Sequence, residues 1–475
     1  MAYIKHAIGL VTLATVISGC AFINPTDPYD GMTRYWIGET GRGVESPGQQ
    51  AKGLVKPDGP VSLAQAVHIA LANNPDIAAR QHEVEAAVAQ KEVAVGEALP
   101  HVSFETGYSR YLNDQRLVPP GTNGQLGVFG RNIVSGDLVV RMPLFTGGRI
   151  TSQIKAAELL ANAAEHQLGR SREELVFNVS SLYFNILAQR HVIESLRFSQ
   201  RALKQHLERV DHLIAAQRAA QVDRLRTLVR LANIEQQIVA QRNVQAVQKQ
   251  ALGNLLGLTD THSPLEVQGE LTMERVKLPD PMAAMRQAMA QREDFLAARA
   301  ALEAQAKAVD AARAAQWPTI YGQASYGGRW AADPSTQPAG TDRVEDVGQI
   351  GVMAEIPIFQ GGQIEARIRR ERAKLSAARQ RLRQLGLQIQ LDVKTALLNI
   401  QSAYERVQAT RTAIDQATES LRIEQEKYDQ GKGSITDVLD AQASLLLTQT
   451  SYYKALAAYN VALAQYRLAI GEPLE

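Results

Sequence analysis

Two acidic residues near the end of the chain have a spacing that predicts one shared charged surface. Asp437 and Asp440 are three residues apart in a predicted helix, so their carboxylates lie on one helical face. Gly431 and Gly433 precede that helix and permit a tight reversal between two antiparallel helices. Carboxylates repeated around an opening attract cations and repel anions, whereas two acids at an isolated helix start only favour the helix macrodipole. Both interpretations are consistent with these residues alone.

The single cysteine, Cys20, indicates a lipid attachment site. Residues 7–17 form an apolar run that is typical of a secretion signal and too short to span a bilayer. The run ends in Ile17-Ser18-Gly19-Cys20, which resembles a lipobox, the motif whose cysteine is acylated before cleavage. We therefore predict a signal peptide over 1–19 and, over 20–60, a tether anchored in outer-membrane lipids. The alternative is a buried cysteine near a processed leader.

Catalytic and metal-binding arrangements are missing from the sequence. One cysteine excludes an intrachain disulfide or a multi-cysteine metal site, and none of the nine His lies beyond His262. The segment Gly431-Lys432-Gly433-Ser434 lacks the earlier glycine of a phosphate-binding loop, because Glu426 occupies that position. We interpret His206 and His212, on one helix, as solvated or packing residues. Without such motifs, we expect no enzyme activity and no cofactor. The formal net charge of only +2 predicts no nucleic-acid partner.

Two long stretches without proline predict the helices that position these residues. No proline occurs between residues 149 and 263 or between residues 358 and 472. Both stretches are rich in strong helix formers and have apolar residues three and four positions apart. Single helices over 148–214 and 363–430 would each be roughly 100 Å long at about 1.5 Å per residue. Helices of this length indicate a coiled coil or a tubular assembly.

Alternating segments predict two membrane-spanning β-hairpins. Apolar residues recur at every second position, including Val102, Phe104, Tyr108, Leu138, Val140, Met142, Ile320, Tyr326, Ile350, Val352, Ile356 and Ile358. Each run is close to the length of a tilted transmembrane strand, although a soluble hairpin with one wet face alternates in the same way. Segment 113–132, rich in Gly, Pro and Asn, and segment 331–346, with two Pro and one Gly, would form exposed loops. Four strands cannot stand open in lipid, so a conducting pore favours twelve strands from three chains.

The sequence also contains an internal repeat. Residues 74–100 align with residues 292–318 at a constant offset of 218. Farther on, Pro143-Leu-Phe-Thr-Gly-Gly148 aligns with Pro357-Ile-Phe-Gln-Gly-Gly362 at an offset of 214. Two copies of one unit therefore describe the predicted mature chain.

Each repeat has the same predicted order of elements. The first repeat, 61–280, contains a helix, a β-hairpin near 100–145, a helical hairpin near 148–257 and an equatorial segment. The second repeat, 281–475, contains a helix, a β-hairpin near 318–359 and a helical hairpin near 362–471. We predict an α+β membrane protein in which a long α-helical coiled-coil barrel continues a transmembrane β-barrel, with four strands per chain, assembled as a homotrimer.

These features resemble the TolC family of outer-membrane efflux and secretion channels over essentially the whole mature chain. The resemblance depends on the doubled Asp-x(23)-Pro spacing, the doubled Pro-Leu/Ile-Phe-x-Gly-Gly segment, and the segment from Tyr428 to Gln442. It implies a trimer with a twelve-stranded barrel in the outer membrane and a helical tunnel through the periplasm. It also implies that the periplasmic tip docks on an adaptor protein and an inner-membrane pump.

The resemblance assigns the reversal before Asp437 to the periplasmic tip, where carboxylates of three chains would surround the entrance. Asp223, after the first reversal, corresponds to the family's closed-state acceptor for Tyr428 and for a neighbouring Arg. Here Gly433 occupies the Arg position, and Lys432 beside it replaces the guanidinium only as a point charge. The first reversal, residues 217–220, contains no glycine. The predicted gate residues are Asp437, Asp440, Tyr428, Asp223 and Lys432.

The sequence thus predicts a passive duct that exports small molecules or metal ions received from an inner-membrane pump. The lipobox favours efflux, because many lipidated members of the family serve such pumps. A type I protein-secretion duct is the alternative within the same class. A lipid-anchored periplasmic coiled-coil protein that conducts nothing is the alternative from a different class, and the β-hairpins count against it, since a spacer needs no strands.

Overall fold

The computed structural model describes residues 59–116, 129–258, 265–273, 280–332 and 344–472. Cys20, the predicted signal peptide and nearly all of the predicted tether lie outside these ranges, as do large parts of the two predicted β-hairpin loops and of the equatorial segment. Within the described residues, no helix combines the length and apolar character needed to cross a membrane.

The first repeat begins with two shorter helices, α1 (Leu63–Asn73) and α2 (Pro75–Gly96). A β-hairpin follows, formed by β1 (His101–Arg116) and β2 (Phe129–Phe145). The helical hairpin consists of α3 (Arg149–Ala215) and α4 (Gln221–Leu255).

The second repeat has the same order of elements. It contains α5 (Pro281–Gln291), α6 (Glu293–Ala314), β3 (Thr319–Ala331), β4 (Val344–Glu355), α7 (Gln363–Asp429) and α8 (Ile435–Ile470). Helices α3 and α7 each have 67 residues, and both ends of α7 lie at the ends of α3 shifted by the sequence offset. The two long helices therefore begin and end at equivalent positions of the two repeats.

Left-handed glycines start both long helices. Gly148, the N-cap of α3, has φ 84°, and Gly362, the N-cap of α7, has φ 77°. The preceding Gly147 and Gly361 also have positive φ. A side chain in this conformation costs about 1–2 kcal/mol, which explains why the Gly-Gly pair occurs at the same place in both repeats.

The four strands form one antiparallel sheet in the order β1-β2-β3-β4. Phe104 lies opposite Leu138, Leu138 opposite Tyr326, and Ala324 opposite Ile350, so even-numbered residues share one face. This face is apolar and largely exposed; Ile350, for example, is 88% exposed. Among the described residues, the outer edges of β1 and β4 pair with no further strand.

The opposite face of the sheet is polar. The Arg141 guanidinium lies 3.1 Å from a Glu105 carboxylate oxygen and donates to Gln323 at 3.2 Å. Asp137 and Arg329 form a second ion pair at 2.6 Å. A sheet with one apolar and one charged face matches the requirements of lipid on one side and water on the other.

The helices pack in a row within the chain. Helix α2 packs on α3, α3 on α6, and α6 on α7, while α4 and α8 pack on α3 and α7 respectively. Helix α8 also packs on α3, which joins the two repeats. Helix α7 contacts mainly the helices of its own repeat, so one side of it is an edge of the row. Helices α2 and α4 form the opposite edge.

Each helical hairpin ends against the start of its own repeat, but the contact differs in chemistry. In the first repeat, Asn74 Nδ2 donates to the Leu255 carbonyl at 2.9 Å. In the second repeat, Arg292 Nη1 donates to the equivalent Ala469 carbonyl at 3.4 Å. A neutral amide in one repeat is therefore replaced by a guanidinium in the other.

The Arg292 junction is a buried charge network. Arg292 is 3% exposed and forms ion pairs with Asp294 at 2.7 Å and Asp392 at 2.9 Å. Glu173 on α3 lies close enough for Asp294 to act on its charge, and burial raises the pKa of Glu173 to about 7 despite its bond to Arg170. Removing a carboxylate from water disfavours its charged form, and here that effect exceeds the attraction of the guanidinium.

Candidate functional site at the tips of the helical hairpins

The predicted gate residues lie in or beside the turns of the two helical hairpins. We call these turns tip one (residues 216–220) and tip two (residues 430–434). Both turns are closed by equivalent backbone bonds of 2.8 Å, from Arg218 N to the Leu213 carbonyl and from Lys432 N to the Lys427 carbonyl. The turns therefore have the same backbone design although their sequences differ.

The two tips differ in how well their residues suit the turn. Gly431 in tip two has φ 73°, a conformation open to glycine without strain. The equivalent position in tip one is Gln217, with φ 57°, and within the described residues it is the only non-glycine with positive φ. Tip one therefore contains a strained residue where tip two contains none.

The N-termini of α4 and α8, which follow the two tips, also differ, and tip two again has the better-suited residue. Ser434 caps α8, with its hydroxyl accepting from Thr436 N at 3.2 Å, whereas Ala220 offers no such acceptor to α4. Asp437 and Asp223 occupy equivalent positions, and each accepts from the backbone N–H at its own helix start, at 3.3 and 3.5 Å. Asp437 and Asp223 therefore each cap the start of their own helix.

Asp440 differs from Asp437 in having no partner within the described chain. It is exposed, one turn into α8. Its equivalent on α4 is Arg226, which donates to the Thr436 hydroxyl at 3.3 Å. The same level of the two hairpins therefore presents one free carboxylate and one guanidinium.

Tyr428, the last but one residue of α7, is buried against His206 of α3. Their ring centroids are 5.4 Å apart, and neither the Tyr428 hydroxyl nor His206 Nε2 has a hydrogen-bond partner in the described chain. Burial raises the pKa of Tyr428, helped by the charges of Asp223 and Asp429. Burial, followed by the charge of Arg209, lowers the pKa of His206. Both rings are thus held neutral near neutral pH.

The closed-state link that the resemblance implied is not present within the single chain. The Asp223 carboxylate bonds to Ala220 N, and the Lys432 ammonium bonds to Gln430 at 3.2 Å, so neither contacts the Tyr428 hydroxyl. Near the tips, α3 and α7 are instead joined by an ion pair of 2.9 Å between Arg209 and Asp429.

Sequence reasoning missed this pair. Arg209 and Asp429 are 220 residues apart, and no local motif links them. The sequence-based interpretation of His206 and His212 as solvated or packing residues agrees with the structure, in which His206 packs against Tyr428 and His212 is exposed.

A groove of about 460 Å³ lies between the tips. It is lined by both turns and by Asp223, Tyr428, Asp429 and Ile435. Its acids are not clustered for metal binding, since no group of three or more His, Cys, Asp or Glu converges anywhere in the described ranges.

The long paired helices and the four-stranded sheet give this chain the fold of TolC-like channels, which is dominated by helix. The chain belongs to the outer membrane efflux protein family, whose sequence profile matches residues 66–258 and 284–472. One match falls in each repeat. The predictions of TolC-family membership and of an outer-membrane efflux channel are therefore confirmed, and the family consists of channel proteins.

Known proteins are similar to this one over most of its length. The outer membrane protein TolC of Escherichia coli is 23% identical over 427 residues, covering 86% of this chain and 82% of TolC. The toluene efflux pump outer membrane protein TtgI of Pseudomonas putida is 26% identical over 461 residues, 91% of either chain. The solved structure of the outer membrane protein VceC of Vibrio cholerae has a TM-score of 0.72 at 18% identity, covering 86% of this chain and 96% of VceC.

Proposed function

We propose that this chain is one protomer of a homotrimeric duct that takes cargo from an inner-membrane pump, through a periplasmic adaptor protein, to the cell exterior. The observation that supports this most is the open four-stranded sheet, whose even-numbered face is apolar and exposed. Unpaired strand edges leave backbone groups unsatisfied in lipid, so β4 of one copy must pair with β1 of the next. Three copies give twelve strands, enough for an open lumen.

The helical edges support the same arrangement. Helix α7 is one edge of the row, and α2 and α4 form the other. Exposed apolar residues lie on these edges, among them Val93 of α2 at 59%, Val239 of α4 at 67% and Leu398 of α7 at 66%. Contact between the edges of neighbouring copies would bury them and close a tunnel beneath the barrel.

The tips would then form the periplasmic gate of the duct. Two equivalent hairpins in each of three copies give a pseudo-sixfold ring, in which Asp437 and Asp223 supply six carboxylates at one level. At the next level, Asp440 would alternate with Arg226. Cation selection by the gate therefore depends on the balance of Asp440 against Arg226, while Asp437 and Asp223 also cap their helices.

The lipid anchor at Cys20 is part of the proposal, although it lies outside the described residues. An acylated cysteine would hold the tether in the same membrane as the barrel. Replacing Cys20 by Ser should remove incorporation of labelled palmitate. Label retained by that variant would contradict the anchor while leaving the duct intact.

The trimer is tested by purifying the full chain in detergent. We expect a single trimeric species whose β content and assembly are lost together on heating, and discrete conductance steps in planar bilayers. A folded monomer with full β content would contradict the proposal. A trimer that conducts nothing would favour the alternative of a structural coiled-coil protein.

A further inference from the structure

The start of α7 is far more basic than the equivalent start of α3. Residues 363–383 contain eight Lys or Arg and two Glu, a formal net charge of +6, whereas residues 149–169 contain two of each sign. In the first repeat both cations are paired, Arg149 with Glu97 at 3.3 Å and Lys155 with Glu158 at 2.9 Å. The two repeats have the same backbone here, so the difference in charge does not arise from the fold.

Most of the basic residues in α7 have no ion-pair partner in the chain. Arg370 and Lys374 both pair with Glu371. The other six are exposed and, in the part of the chain that the structure describes, none lies in an ion pair. They are Arg367, Arg369, Arg372, Arg379, Arg381 and Arg383. Unpaired guanidiniums at this density repel one another, so an anionic partner would lower their free energy.

Apolar residues lie directly beside this basic segment. Ile358 is 96% exposed and Phe359 is 85% exposed. Ile358 continues the even-numbered apolar series of β4. An open groove of about 590 Å³ is lined by Ile358, Phe359, Arg369 and the start of α7, with Glu365 as its one acid. The acyl chains of a lipid would pack against Ile358 and Phe359, and its phosphate diester would accept hydrogen bonds from the Arg369 guanidinium.

We propose that this groove, continued by Arg372 one turn farther along α7, binds the headgroup of an anionic phospholipid from the periplasmic leaflet of the outer membrane. The inference depends on the proposed placement of the β-sheet in that membrane. Arg369 and Arg372 lie in the first three turns of α7, about 9–14 Å from its start. Helical side chains tilt toward the N-terminus, so these two long side chains reach back toward the headgroup region below the strands. Arg379 and Arg383 lie on a similar face of α7 but about 15 Å farther from the membrane. At physiological salt, their attraction to lipid headgroups is screened at that distance.

Trp317 provides a local reporter, because it is 60% exposed and follows Gln316, which lines the same groove. Changing Trp36 and Trp330 to Phe leaves it as the only tryptophan. The full chain, in this background, is reconstituted in phosphatidylethanolamine bilayers containing a minor fraction of phosphatidylglycerol. In paired samples, one or the other lipid has brominated acyl chains, and the quenching of Trp317 reports which lipid is beside it.

We expect brominated phosphatidylglycerol to quench at least about fivefold more per mole than brominated phosphatidylethanolamine, since one basic side chain near a leaflet contributes about that factor. The double variant Arg369→Gln, Arg372→Gln should remove the excess. The matched control Arg379→Gln, Arg383→Gln, with the same change in charge on the same helix, should keep it. Glu365→Gln should increase it.

Three results would overturn the assignment. Equal quenching by both lipids in the wild type would leave the basic face for another acidic partner. Loss of trimer stability in the Arg369/Arg372 variant, with unchanged lipid preference, would assign these residues to helix α2 of a neighbouring copy, which contains four acidic and two basic residues. Absence of quenching by either lipid would contradict the membrane placement itself, and so the proposed duct as well as the headgroup site.

Discussion

The two repeats build the same helical hairpin with different chemistry at each end. At the tips, tip two has glycine and a serine cap where tip one has Gln217 and Ala220. At the opposite ends, the first repeat uses the neutral Asn74 and the second uses the buried Arg292. Equal helix lengths show that these substitutions do not change the scaffold. The comparison therefore teaches which residues build the hairpin and which adjust its stability or charge.

The largest effect is expected where the repeats differ by a buried charge. Arg292→Met should lower the free energy of unfolding by about 3–5 kcal/mol, because Asp294 and Asp392 would lose the guanidinium that neutralises them. The matched change in the first repeat is Asn74→Ala. Asn74 caps α2 by accepting from Asp76 N at 2.9 Å, so this change removes a helix cap as well as the neutral bond to Leu255 and should cost about 1 kcal/mol. Denaturant unfolding in detergent at one fixed protein concentration measures both. Equal losses would mean that the two junctions are energetically alike.

A pH effect is expected at the same charged junction. Because the pKa of Glu173 is raised to about 7, its protonated form contributes stability that is fully present below about pH 4.5 and is lost as pH rises through 7. Glu173→Gln should therefore remove this pH dependence and stabilise the protein at pH 8, by on the order of 2 kcal/mol. The control is Glu174→Gln, on the same helical turn but half exposed, which should change neither the pH dependence nor the stability at pH 8. Parallel stability profiles for wild type and Glu173→Gln would contradict the assigned pKa.

Exchanging the turn residues tests the difference between the tips. Gly431→Gln should destabilise tip two by about 1 kcal/mol, because a side chain disfavours the left-handed conformation. Gln217→Gly should stabilise tip one by less, since relief of strain is partly offset by the added freedom of glycine in the unfolded chain. Hydrogen exchange of the amides after each turn reports local opening. Faster exchange after tip one in the Gln217→Gly variant would show that Gln217 is not strained.

The smallest effect is expected at the helix caps. Ala220→Ser supplies tip one with the acceptor that tip two has in Ser434. It should raise the free energy of local opening at the start of α4 by about 0.5–1 kcal/mol, which slows hydrogen exchange there. Ser434→Ala should speed exchange at the start of α8 by a similar amount. If neither variant changes exchange, the capping bonds make no measurable contribution to local stability.

Much of the scaffold could be predicted from the sequence because its signals are local. The absence of proline, the helix-forming composition and the apolar spacing predicted the long helices to within one residue of Arg149–Ala215 and Gln363–Asp429. The site could be predicted only in part. Asp437 was predicted as a gate residue from its spacing to Asp440, but its bond to Ser434 N could be seen only from the turn geometry.

Other features depended on the packing of distant elements. The positive φ of Gln217 is a conformation that its residue type does not favour, so the sequence contained no signal for it. The burial of His206 depends on α7 lying against α3, and no residue near His206 encodes that contact. Polar residues on a long helix have no predictable environment until the neighbouring helices are placed.

The central claim is that the tips form the charged entrance of a conducting trimer, and reversal potentials in a salt gradient across planar bilayers test it most directly. Asp440→Ala is the decisive variant, because Asp440 caps no helix and has no partner in the described chain, so its loss should leave folding nearly unchanged. We predict that Asp440→Ala shifts the reversal potential toward anion preference and that the matched variant Arg226→Ala shifts it toward cations. Reversal potentials identical to wild type in both variants would contradict the account.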